Sequence, residues 1–151
     1  MSTAYIIQSA QNPNFCIGVT QASAGNTVVL SLLQGVGNKN TQWNMDPNTG
    51  SITLAANPTL CLDVKGTVVQ GSQLIINNFV LGRQSQSWNW LGNAPFINNN
   101  AAGNMVVDNS GGNVSAGNPV LIWPQNGGQN QQWTILAVPA LEAANAAAEA
   151  A

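Results

Sequence analysis

With no histidine in the chain, acid–base chemistry would fall on five carboxylates: Asp46, Asp63, Asp108, Glu142 and Glu149. Asp46 sits in the turn signal Asp46-Pro47-Asn48-Thr49-Gly50 and both glutamates in an Ala-rich tail, so only Asp63 and Asp108 lie in apolar, strand-like sequence. Neither Cys16 nor Cys61 has a His partner that would activate it as a nucleophile, and no Cys/Asp/Glu spacing suggests a metal cluster. The inventory predicts no enzyme, no metal and no cofactor. Polarity comes instead from Asn, Gln, Ser and Thr, which donate and accept hydrogen bonds without charge. That suits neutral polyols, and it also suits a turn-rich β protein with no such ligand. Three basic residues and a net charge of −2 leave no basic stripe for phosphates or anionic lipid, which argues against nucleic-acid and membrane-surface partners.

The elements that must position these groups follow from a repeat. Trp43, Trp88 and Trp133 stand 45 residues apart, and the same register relates Asn12-Pro13 to Asn57-Pro58, Cys16 to Cys61 and Val106, and Gly18 to Asp63 and Asp108. One supersecondary unit that cannot bury its own apolar face finds its core against its copies. Each unit reads as four short strands separated by turn residues: Tyr5–Gln8, Phe15–Val19, Val28–Leu33 and Trp43–Met45; Ile52–Ala55, Leu60–Val64, Leu74–Asn77 and Trp88–Trp90; Phe96–Asn98, Met105–Asp108, Val120–Trp123 and Trp133–Leu136. A propeller needs four or more blades, and a solenoid needs end repeats that differ from the middle one. Three near-equal copies therefore predict an all-β, twelve-stranded β-trefoil over residues 1–138, with repeats at about 4–50, 51–94 and 95–138 and the three tryptophans in the core. Asp63 and Asp108 then fall in different lobes, too far apart for the paired carboxylates of a glycosidase, which lie within about 5–9.5 Å.

Residues 139–151 are Ala-rich, with high helix propensity and little apolar pattern, and read as a linker or frayed helix; docking onto the body is the less favoured alternative. The segment Met1-Ser2-Thr3-Ala4 shows no basic region and no apolar run of a signal peptide. Cys16 and Cys61 are expected as buried free thiols on equivalent strands, with a disulfide between them the less favoured alternative. Together these features point to the cytoplasm.

At Asn130-Gln131-Gln132-Trp133 and Ser85-Gln86-Ser87-Trp88 the chain resembles the ricin-B-type β-trefoil lectins, whose signature is Gln-x-Trp; the first copy departs with Asn40-Thr41-Gln42-Trp43. Cys61-Leu62-Asp63-Val64 is similar to the family's strand carrying the sugar-binding Asp. The resemblance implies carbohydrate binding without reaction, most often of a galactose-type sugar. In such a site a carboxylate accepts from adjacent hydroxyls, an aromatic ring lies under the sugar's C–H face, and an Asn and the Gln satisfy remaining hydroxyls and hold the Asp. Carried over by motif, the third copy is complete, with Asp108, Trp123, Asn130 and Gln131. The second keeps Asp63 and Gln86 but places Asn77 at the ring position, so that Phe79 would stack only after a register shift. The first, with Gly18, Ser31 and Thr41, is expected to be silent.

Two other readings stand beside a galactose- or N-acetylgalactosamine-binding lectin. One is a protein-binding β-trefoil, which leaves the Asp108 set unexplained; the other is a carbohydrate-binding accessory module of a larger toxin or enzyme. A single site cannot cross-link glycans, so agglutination would need the second site or a homodimer.

Overall fold

The computed structural model describes residues 3–33 and 37–150, with the side chains of 148–150 left aside; Met1, Ser2 and the tail's last residue, Ala151, lie outside it. The first repeat contains β1 (Ala4–Ser9), β2 (Phe15–Gly18), β3 (Val29–Leu32) and β4 (Trp43–Asp46); the second contains β5 (Ser51–Leu54), β6 (Asn57–Val64), β7 (Leu74–Asn78) and β8 (Trp88–Asn89). The third contains β9 (Asn98–Asn99), β10 (Ala102–Asn109), β11 (Val120–Pro124) and β12 (Trp133–Ala137), and α1 (Val138–Ala150) follows. The predicted strand at Phe96–Asn98 begins later, at Asn98, because the Phe96 N–H is committed to Asn93 O in a turn. A feature invisible to strand patterning precedes each core tryptophan: a 3-10 helix at Lys39–Thr41, Gln84–Gln86 and Gln129–Gln131.

The architecture is the expected β-trefoil. β1 pairs with β12 and β4, β4 with β5, and β8 with β9, giving the barrel staves. The stave set is linked further by Trp88 N–H to Gly50 O and Trp133 N–H to Pro95 O. The hairpins β2–β3, β6–β7 and β10–β11 close one end. They meet through isolated bridges at Thr27 with Ile75, Val29 with Pro119 and Gln73 with Leu121. At that junction the Gln73 amide donates to carbonyls from all three repeats, Val28, Leu74 and Val120, at 3.3, 2.9 and 2.7 Å.

Trp43, Trp88 and Trp133 are 0, 2 and 4 % exposed, alike as the repeat requires. Burying an indole contributes on the order of 4–6 kcal/mol as an upper bound. Each ring N–H also needs an acceptor once buried. Trp43 donates to Ile17 O, Trp88 to Leu62 O and Trp133 to Val107 O, each at 3.1 Å and each 26 residues back along the chain.

Cys16 and Cys61 are buried and unpaired. Burial pushes both thiols up to about 12, so neither is a thiolate nucleophile at neutral pH. The tail departs from the favoured reading: it is a helix whose start is docked. Val138, 5 % exposed, clusters with Ile6 and Cys16, and Leu141, three residues on and so on the same helical face, packs against that group. The remainder of α1, alanine-rich, is exposed as far as residue 147. No helix among the described residues is long and apolar enough to cross a membrane.

Replacing Trp88 by Phe keeps an aromatic ring in the core but leaves Leu62 O without its indole donor. Urea unfolding is expected to show a loss of about 1–3 kcal/mol; a loss within error of zero would mean that the clamp carries no stability.

Candidate functional site

The hairpin β10–β11 carries the third repeat's candidate residues. Asp108 stands opposite Leu121 and Val106 opposite Trp123. Val107 and Ile122 belong to the central core. Alternation along the strands therefore turns Asp108, Leu121 and Trp123 to the other face. There they line a cleft of about 340 Å³ together with Ser110, Gly111, Asn126 and Asn130. Gly71, in the neighbouring repeat's turn at φ 85°, has the Trp123 ring 3.6 Å from where a Cβ would stand.

Asp108 is 4 % exposed as a residue, and its carboxylate is held from both sides where it lines the cleft. Asn130 Nδ2 donates to Oδ1 at 3.1 Å and Gln131 Nε2 to Oδ2 at 2.9 Å. A carboxylate offers about four lone-pair positions. Among the described residues one bond is made to each oxygen, so each retains acceptor capacity on the cleft side. Gln131 has no amide hydrogen to spare. It is fully buried; its Nε2 also donates to Pro124 O at 3.0 Å and its Oε1 accepts from Asn126 N–H at 2.9 Å. Of the two roles expected of this Gln, its bonds serve the holding of Asp108, together with the 124–126 turn. Asn130 likewise spends both amide hydrogens, on Asp108 and on Asn109 O at 3.1 Å, and keeps only its carbonyl oxygen for a ligand.

The second repeat holds the same frame with a different filling. Asp63 stands opposite Ile75, and Cys61 opposite Asn77, so Asn77 does occupy the ring position. Its amide turns onto the carboxylate: Asp63 Oδ2 accepts from Asn77 at 3.2 Å and from Gln86 at 3.1 Å, with Arg83 Nη1 at 3.9 Å, while Oδ1 accepts from Val64 N–H at 2.7 Å. The register is not shifted. Phe79 lies past the end of β7, with its N–H on Thr59 O, and lines an adjoining cleft that shares Arg83 and Gln86 with the Asp63 group but whose walls do not include Asp63. The structure thus joins Asp63, Asn77 and Gln86 but leaves Phe79 out of that group.

In the first repeat the space is filled. A Cβ on Gly18 would stand 2.8 Å from Ser31 Oγ, 2.9 Å from Thr41 Cγ2 and 3.0 Å from Asn40 O. Among the described residues the cleft beside Ser31 is lined by no carboxylate and no aromatic ring.

The sequence profile of the ricin-type beta-trefoil lectin domain matches residues 3–133. The chain belongs to this lectin domain family. Its fold is similar to the earthworm R-type lectin C-half in complex with GalNAc, at TM-score 0.76 and 19 % identity over 89 % of this chain and 98 % of that one. It is similar also to the Macrolepiota procera ricin B-like lectin in complex with lactose (TM-score 0.72, 22 % identity, 90 % and 96 % covered). A third likeness is to the designed three-fold symmetric protein ThreeFoil (TM-score 0.76, 23 % identity, 88 % and 97 % covered). No curated protein sequence matches the chain.

Within this lectin domain the carry-over by motif missed Leu121, Ser110, Gly111 and Asn126. Leu121 was findable, since it lies two residues before Trp123 and so on the same strand face. Asn126 lies in the turn that Gln131 ties down, whereas Ser110 and Gly111 lie in a 3-10 turn held by Asn118 Nδ2 on Ser110 O and by Gln11 Nε2 on Gly112 O. Among the described residues no three His, Cys, Asp or Glu side chains are grouped to hold a metal ion.

Burial raises the Asp108 carboxyl above its ordinary value of 3.8, and the hydrogen bonds from Gln131 and Asn130 only partly oppose this. The native state therefore holds this proton more tightly than the unfolded chain does. Between the unfolded and native values stability falls as pH rises, and the ionised group is destabilising above that window. In paired unfolding experiments the stability difference should move in favour of Asp108→Ala as pH is raised upward from 3.8. A difference flat with pH would contradict the burial argument.

Proposed function

We propose that the chain is a non-catalytic carbohydrate-binding lectin that works through the third-repeat cleft and favours a terminal galactose or N-acetylgalactosamine. The observation that carries this reading is the state of Asp108: a carboxylate oriented by two amides, with acceptor capacity left on both oxygens, beside the half-buried Trp123 ring. Two adjacent sugar hydroxyls donating to such a carboxylate form charge-assisted bonds, stronger than neutral ones. The ring excludes water from the sugar's C–H face and orients the sugar. In galactose the axial 4-hydroxyl leaves a continuous C–H face for such a ring while presenting O3 and O4 to one acceptor. The GalNAc and lactose held by the earthworm and Macrolepiota lectins support the same sugar class.

The second repeat is predicted to be weak or silent toward neutral sugars. Its carboxylate spends one oxygen on Asn77 and Gln86 and the other in part on Val64 N–H, and it has an amide in place of a ring. With one working site per chain, cross-linking of glycans requires a second copy, and a homodimer is the form that would agglutinate cells. The unpaired thiols favour a reducing compartment such as the cytoplasm.

Calorimetric titration with lactose is the test. Asp108→Ala should lose about 1.5–3 kcal/mol per charged hydrogen bond, more than tenfold in affinity. Asp63→Ala should leave the titration unchanged. Unaltered lactose binding by Asp108→Ala would sink the site assignment, and a glucose-type preference would overturn the specificity alone. In the parent protein affinity should fall on acidification, starting above the ordinary Asp value of 3.8, because the protonated carboxyl has lost an acceptor.

A further inference from the structure

The segment after β7 adjoins the Asp63 position and carries an apolar run and a cation that the third repeat lacks. Phe79, Val80 and Leu81 are 39, 44 and 81 % exposed, three consecutive apolar side chains open to solvent. With Arg83 and Gln84 they wall a cleft of about 220 Å³. Its shape is set by the backbone: Arg83 N–H donates to Val80 O at 3.1 Å, and Val80 N–H donates to Gln86 Oε1 at 2.8 Å. In the third repeat the equivalent turn is Gln125-Asn126-Gly127-Gly128, with neither ring nor cation.

Arg83 is one of three basic residues in the chain. Its nearest carboxylate oxygen, Asp63 Oδ2, is 3.9 Å away and already accepts from Asn77 and Gln86, and the arginine side chain is 46 % exposed. At 3.9 Å, with its arginine half open to solvent though its carboxylate is 3 % exposed, this ion pair is long and makes no hydrogen bond, and it is weak. Among the described residues the guanidinium donates no hydrogen bond, so its planar fork is left to match a planar carboxylate in two-point fashion. A bare anion would need only the arginine. The adjoining Phe79 ring adds a surface for a C–H face, and the Gln84 amide adds a neutral polar group at the rim. The cleft is smaller than a drug-sized pocket and suits a single ring.

We propose that this cleft binds one carboxylate-bearing sugar residue of the uronic acid type, with Arg83 pairing the carboxylate and Phe79 under the ring. The site is separate from the Asp108 cleft and does not depend on how that cleft is used.

The test is calorimetric titration of the full chain with methyl glucuronide, with methyl glucoside as its neutral counterpart and with acetate. The glucuronide should bind, and at least tenfold more tightly than either control. Raising the salt concentration should weaken it. Arg83→Gln and Phe79→Ala should each reduce glucuronide affinity more than tenfold, with native tryptophan fluorescence retained. Arg83→Lys should recover only part, because a point charge replaces the fork. Glucuronide binding unchanged in Arg83→Gln, glucoside binding as tight as glucuronide, or acetate competing as well as the sugar acid would each overturn the proposal. Displacement of glucuronide by lactose would place it in the Asp108 cleft and overturn it equally.

Discussion

The bond from each core indole to the carbonyl 26 residues behind it is the constraint on which the rest of this molecule depends. Its acceptors, Ile17, Leu62 and Val107, are the residues immediately before Gly18, Asp63 and Asp108. The clamp that closes the core therefore fixes the backbone one residue away from each position where a site carboxylate stands or is replaced. Two residues before each tryptophan lies the side chain that completes the other half. Gln86 and Gln131 reach the carboxylate and tie down the turn behind it with the same amide. Gln-x-Trp is thus one device with two ends: the tryptophan couples the strand to the core and the glutamine couples it to the site.

That coupling explains how three repeats keep one backbone and diverge in chemistry. The Trp clamp survives in all three, whereas the glutamine is replaced by Thr41 in the first. There Thr41 and Ser31 fill the volume that a carboxyl would need beside Gly18. In the second, Asn77 supplies an amide where the third has an indole, and it satisfies Asp63 from within. A buried carboxylate left unpaired is costly, so the loss of a ligand site leads to internal pairing of this kind. The third repeat keeps its carboxylate less satisfied than it could be. That arrangement disfavours the ionised form in the folded state and leaves acceptors for a partner from solution.

The close of the chain follows a different logic. Alanine-rich sequence of that length is marginal as an isolated helix, and the weak apolar pattern suggested a free tail. Two side chains suffice to change that outcome. Val138 and Leu141 cap the apolar patch around Ile6 and Cys16, next to where β12 pairs with β1. The helix is therefore anchored at its first turn, while its exposed remainder adds nothing to the core.

The 45-residue spacing of Trp43, Trp88 and Trp133 determined the fold by itself, because a three-fold repeat of four strands each has few ways to close. The ring position was also legible: the match to the lectin motif placed Asn77 and Trp123 where the ladders now put them, opposite Cys61 and Val106. Residue type at those positions showed which repeat retains an aromatic group. What the sequence did not determine was how each polar side chain divides its hydrogen bonds. That Gln131 is spent inside the protein, that Asp63 is satisfied by its own neighbours and that Phe79 faces another cleft beside Arg83 depend on distances across hairpins and turns. Such distances are set only when the three repeats pack together, and pattern along one strand carries no record of them.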